Sequence, residues 1–343
     1  MITRLVLLQC LFFFMGLFGV KGQTTSQMVG FLKLHLQTGP NFIGFALLPT
    51  MEVQSPFHVS PGDRKQIWLQ GTGVSLADGQ FSGGLLPTHC IEIISSGSSQ
   101  GFTSVIVATQ AAGNSLTLAQ EVPPSVPDGA ILRVWKLWCL ADVFGASNTA
   151  GLTSAETPAQ ADLILLPDPA GVVKKYFYSS GGAQGIGWRL AEGGNASQAN
   201  VPVLLTHGMA ILAKSAKTVL LVGQVKQGST QLMLRSGHNY VANLCPVNYS
   251  GTGSSVQGRT LANSGLATGL TGGTVSDLAD LVLLWNGTGY DQFYYSTGGL
   301  AGAGWRKIGA GTQNQDNMAL PDGAYVILRR GPPITLTLNQ GDF

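Results

Sequence analysis

The sequence predicts an all-β protein of two related antiparallel units, sandwich- or barrel-like, the first interrupted by a small β-barrel or meander. Three observations carry this. Short runs such as FLKLHLQ, CIEIIS, TSVIVATQ, TVLLVGQVK and AYVILRR alternate or are branched-apolar, and Gly, Pro, Asn or Asp separate them. Nowhere does a helix-length stretch show a convincing 3.6-residue apolar period. Whole blocks also recur. ADLILL (161–166) returns as ADLVLL (279–284), and YFYSSGGAQGIGWR (176–189) returns as FYYSTGGLAGAGWR (293–306). Self-similarity of this kind marks a duplicated structural unit.

In chain order, residues 1–22 read as a secretory signal peptide. Arg4 precedes an apolar run from Leu5 to Val20, and Val20 and Gly22 suit a cleavage site before Gln23. The mature protein is therefore expected to be exported, to the periplasm, the outer cell surface or the medium. The first unit spans 23–222 and carries an insert at about 57–138, whose strand, Gly-Asn turn, strand and Pro-rich link order suggests a compact meander or small barrel. The second unit spans 223–343. PDGA occurs at 127–130 and again at 321–324, each time before a strand; Pro presets one turn dihedral and Asp-Gly accommodates the next. The ADLILL type of run is continuously apolar, as a strand buried on both faces would be. Aligning VPVLLTHGMAILAKSAKTVLLVG (201–223) with MALPDGAYVILRRGPPITLTLNQG (318–341) sets His207-Gly208 against Asp322-Gly323 and makes His207 a turn residue.

Charged residues make up 10% of the chain, against about 25% in ordinary globular proteins, and 47 of its 343 residues are Gly. Net charge is +2, with Lys and Arg scattered, so nothing attracts nucleic acid or an anionic bilayer. No segment after the signal is long and apolar enough to span a membrane as a helix. The strands also fall short of the roughly 9–11 residues that a membrane barrel needs. Cys90, Cys139 and Cys245 remain after cleavage, at spacings that fit no zinc site. Cys90 and Cys139 are the candidate disulfide pair, with three buried free thiols as the alternative.

The repeated glycine loop invites a phosphate-binding reading, which the residues refuse. A Walker loop ends in Lys and Ser or Thr, whereas both copies here close in Gly-Trp-Arg. A dinucleotide fingerprint opens a helix, and neither WRLAEGG nor WRKIGAG can. A hairpin explains the pattern: aromatic strands, glycines that permit positive φ, and Trp-Arg beginning the return strand. Tyr176, Tyr178, Trp188 and Arg189 in the first copy, and Tyr294, Tyr295, Trp305 and Arg306 in the second, then either pack the scaffold or offer aromatic faces to a sugar ring. These eight are the candidate ligand-binding residues.

Catalytic and metal constellations are missing. The five histidines lie at no metal-ligand spacing, and no GxSxG elbow or calcium loop occurs. Asp162 and Asp280 recur before the buried strands, and repetition argues for a shared capping role over a glycosidase pair. No cofactor is implied. Three glycosylation sequons begin at Asn195, Asn248 and Asn286 and would be incidental if the organism is bacterial.

VGFLKL…FALLPT, ADLILL…YFYSSGG…GWR and NYVANLCPVN…TLANSGL…ADLVLL…FYYSTGG…GWRKIG…LPDGAYVILRR together resemble an uncharacterised family of secreted, repeat-containing β proteins found mainly in Verrucomicrobia and related bacteria. The resemblance covers most of the mature chain and implies fold, export and bacterial origin. It implies no activity, and this chain departs from the pattern in its longer glycine loop. The leading functional expectation is a noncatalytic surface or extracellular protein of structural or adhesive type, with polysaccharide or other surface proteins as partners. The alternative is an exported hydrolase of polysaccharide with dispersed catalytic residues.

Overall fold

A computed structural model describes residues 29–338 apart from 96, 169–170, 227, 245–246 and 250–255. The signal peptide, Cys245 and the end of the sequon at Asn248 lie outside the described residues. The chain opens with β1 (Val29–Leu36), β2 (Gly39–Ile43) and β3 (Leu47–Leu48). Six strands follow: β4 (Met51–Val59), β5 (Gln66–Leu69), β6 (His89–Ile93), β7 (Thr103–Gln110), β8 (Ser115–Leu118) and β9 (Ile131–Lys136). The first unit then resumes with β10 (Trp138–Cys139), β11 (Leu163–Pro167), β12 (Val173–Ser180), β13 (Ile186–Leu190), β14 (Pro202–Val203), β15 (Met209–Ala213) and β16 (Lys217–Val225). The remainder comprises β17 (Thr230–Leu234), β18 (Gly237–Ala242), β19 (Val247–Tyr249), β20 (Val256–Gly258), β21 (Leu281–Trp285), β22 (Tyr290–Thr297), β23 (Ala303–Lys307), β24 (Ala324–Arg329) and β25 (Ile334–Leu338).

The six strands after β3 form a closed barrel in the order β4-β5-β8-β7-β6-β9. Period-two alternation turns Phe57, Ile67, Ile91, Ile93, Leu116, Leu132 and Val134 inward, so side chains fill the lumen. Register breaks at Met51/Val53 and Ile106/Ala108 supply the bends that a small barrel needs to close. The insert is thus a barrel, with strands from Met51 to Lys136.

The repeat is structural. One five-stranded sheet runs β13-β12-β11-β15-β2 and the other β23-β22-β21-β24-β18, the same order in both copies. The continuously apolar strands β11 and β21 sit at the centre of their sheets. Each sheet packs on an antiparallel ladder, β1–β16 in the first unit and β17–β25 in the second. The first core joins Leu36, Val219 and Leu221 to Ile164, Trp188 and Ile211. The second joins Leu232, Leu336 and Leu338 to Val282, Trp305 and Ile327.

Register also fixes which residues correspond. Leu165 faces Ala210 in the first sheet and Leu283 faces Val326 in the second, so His207 corresponds to Gly323. The alignment by sequence was one residue out. His207 is not a free turn residue either, because it bridges to Val241 of the second unit. Gly208 N–H donates to the Tyr240 carbonyl (3.0 Å) and Ala242 N–H to the Thr206 carbonyl (3.2 Å). Backbones touch here. A Cβ on Gly44 would sit 2.4 Å from the Gly323 oxygen, and one on Gly323 would sit 2.2 Å from the Phe42 oxygen. The two sheets therefore meet along β2, β15, β18 and β24.

Candidate functional site

The aromatic hairpins pack as scaffold, and of the two roles the sequence left open the ligand-facing one is not available to the buried indoles. Trp188 and Trp305 are each 1% exposed, and Tyr176 is buried with them. Tyr178 and Tyr295, half-buried, meet the indoles edge-on at 5.3 and 5.7 Å. Tyr294 packs with Leu281, Leu283 and Val326. Neither indole can stack on a sugar.

The arginines do not lie over aromatic faces but clamp the glycine loops. Arg189 donates to the carbonyls of Gln184, Trp188 and Ile186, and Arg306 to those of Ala301, Trp305 and Ala303. A five-donor guanidinium suits this task, because the loop leaves several carbonyls without ladder partners. The glycines supply the turn: φ is +68° at Gly185 and +70° at Gly302, where a side chain would be strained.

Asp162 and Asp280 carry the shared capping role and stay within their own units. Asp162 accepts from the amides of Thr153 and Lys214 and pairs with Lys217. Asp280 accepts from the amides of Thr271 and Arg330 and pairs with Arg329. Burial alone would raise the Asp162 carboxyl. The two amides and the Lys217 ammonium overcome that and hold it below the usual carboxylate range.

Cys90 and Cys139 are free thiols, so the candidate disulfide is not formed. Cys90 faces Trp135 across the β6–β9 ladder, while Cys139 begins the helix Leu140–Phe144 and donates to Asp142. Burial pushes the Cys90 thiol up to about 12, with Glu92 adding to the rise. Neither thiol is therefore primed as a nucleophile. Among the described residues no group of three or more His, Cys, Asp or Glu is placed to hold a metal ion, and no helix is long and apolar enough to cross a membrane.

Three recesses draw lining residues from both units. A recess of about 180 Å³ is lined by Phe42, Tyr240, Trp285 and Tyr290 together with Pro167 and Val173. Corresponding positions of the two repeats both line it: Phe42 and Tyr240, Pro167 and Trp285, Val173 and Tyr290. Phe42 lies 5.7 Å from both Trp285 and Tyr290, which are 5.3 Å apart and edge-on. Trp285 is half-buried and Tyr290 is 38% exposed, so this cluster is an accessible aromatic shelf. The Tyr290 phenol is pushed up to about 12, by burial first and then by Tyr240, and it stays a protonated donor.

A second recess, of about 310 Å³, shares Pro167 and Tyr240 with the shelf and adds His207, Arg235, Ser236 and His238. A third, of about 260 Å³, shares His207 and Arg235 and runs on to Cys90, Glu92 and Trp135 of the barrel. The three recesses adjoin through these shared lining residues and together make up the cleft. At its inner end Glu92 is committed to Lys226 (2.5 Å) and to the Trp135 indole N–H (3.1 Å). Burial pushes His207 down to about 4, with the Arg235 charge adding to the fall and Asp168 opposing it, so the imidazole is neutral at physiological pH.

None of Phe42, His207, Arg235, Trp285 or Tyr290 was singled out by sequence as a ligand residue. Each comes from a different strand or turn, and the signal available was a difference between the copies, GPNF against GHNY and LLP against LLW. Compared with known protein families, characterised proteins and solved structures, the chain matches none.

Proposed function

We propose that the chain is an exported, noncatalytic surface or extracellular protein that binds polysaccharide in the cleft between its two repeats. The aromatic shelf of Phe42, Trp285 and Tyr290 carries the reading. Aromatic side chains on rigid strands, beside the Tyr240 and Tyr290 hydroxyls, suit the apolar face and hydroxyl rim of a sugar ring. The noncatalytic half is supported by how the repeated aspartates are used. Asp162 and Asp280 spend their oxygens on amides and on a cation within their own units, so these two do not form an opposed carboxylate pair of the kind that glycoside hydrolysis uses.

Titrating the mature chain with a panel of oligosaccharides tests this. A double variant, Trp285→Ala with Tyr290→Ala, is expected to lose at least about tenfold in affinity while keeping its fold. Absence of binding to every glycan, or unchanged affinity in the double variant, would refute the proposal.

A further inference from the structure

We propose that the recess beside Arg235 and His207 holds an anionic group, a carboxylate or sulfate ester, of an acidic polysaccharide whose rings lie on the neighbouring aromatic shelf. The inference rests on the polysaccharide reading and narrows its substrate class. Arg235 is exposed, and its guanidinium makes no ion pair or hydrogen bond to the described residues. His207 lines the same recess, and its Nδ1 is enclosed without a hydrogen-bond partner. A buried imidazole nitrogen left unpaired is costly, and a ligand oxygen or its hydroxyl would satisfy it.

The fold does not demand the charge. Arg235 sits in a turn where its N–H donates to Asn239 and its carbonyl accepts from the same side chain, both at 2.8 Å. Gln37 occupies that turn in the first repeat with the same two bonds to Asn41, at 2.8 and 2.7 Å. Corresponding to His238 and His207 the first and second repeats carry Pro40 and Gly323, respectively. The nearby Asp168 does not cancel the site, since it is engaged by the Val172 amide and by Lys174. Arginine with a neutral imidazole and the Ser236 hydroxyl forms a donor set for an oxyanion.

The test compares three oligosaccharides on the mature chain: a neutral galactan, an oligogalacturonate and a sulfated galactan. At least one acidic oligomer is expected to bind about tenfold or more tightly than the neutral one, with affinity falling as salt rises. Arg235→Gln, which installs the residue the other repeat tolerates, should remove that preference. Which acidic oligomer is preferred distinguishes carboxylate from sulfate. Equal affinity for neutral and acidic oligomers, or an acidic preference that survives Arg235→Gln, would overturn the anion site while leaving the shelf intact. Acidic binding that needs Arg235 but survives the loss of Trp285 and Tyr290 would instead sink the shelf and keep the anion site.

Discussion

In the first repeat the turn and edge strand at β2 present Gln37, Pro40 and Phe42; at the same registers the second repeat presents Arg235, His238 and Tyr240. Pro167 and Val173 likewise stand where the second repeat has Trp285 and Tyr290. Several scaffold positions, by contrast, carry the same residue in both copies. Asn41 and Asn239 make the same turn bonds, and Ser179 and Ser296 both cap the residue at the start of the glycine loop. Trp188-Arg189 and Trp305-Arg306 fill the same slots. Identity thus collects where the sheet needs a particular hydrogen bond or volume, and difference collects on the faces that meet in the cleft. Recurring residues mark the scaffold; the departures between the copies point to the site.

The largest effects should come from the shared positions. Trp305→Ala or Trp188→Ala empties a buried aromatic slot and is expected to cost about 3–5 kcal/mol in urea unfolding. A much smaller loss in either would mean that the hairpins are not core. Asp280→Ala strands the nearly enclosed Arg329 and should cost about 3–5 kcal/mol. Asp162 adds a pH signature. Its folded-state value lies below the unfolded one, so its stabilisation is present above about pH 4 and is lost as pH falls through the folded value. Asp162→Asn should flatten that part of the acid-unfolding profile; an unchanged slope would contradict the assigned bonds.

A finer comparison separates the copies within the scaffold itself. The Trp188 indole donates to the Gly145 carbonyl at 2.9 Å, whereas the Trp305 indole nitrogen is buried without a partner. Trp188→Phe should therefore cost about 1 kcal/mol more than Trp305→Phe. Equal losses would remove that asymmetry. Smallest of all, Arg235→Gln should shift stability by no more than about 0.5 kcal/mol, because the first repeat builds the same turn with Gln37.

Much of the architecture was legible because local signals agreed. ADLILL and ADLVLL read as central strands and occupy the centres of their sheets. PDGA marked a turn at 127–130 and a bend at 321–324, and alternation through the insert pointed to a compact β module. Strand order was not legible. In the barrel β5 pairs β8 and β4 pairs β9, contacts between segments far apart in sequence that alternation alone does not encode. His207 was misaligned by one residue for the same reason, since register is fixed by the partner strand. The cleft escaped because repetition drew attention to the aromatics the copies share, while Trp285, Tyr290 and Arg235 stand out only once the sheets are superposed strand by strand.

The central claim is that ligand binds at the diverged cleft and not at the repeated hairpins. Indole N–H resonances of the mature chain, followed by NMR during titration with an acidic oligosaccharide, test it without altering the protein. The Trp285 signal is expected to shift with saturation, while those of Trp188 and Trp305, each 1% exposed, stay in place. Saturable shifts at Trp188 or Trp305 with Trp285 stationary would contradict it.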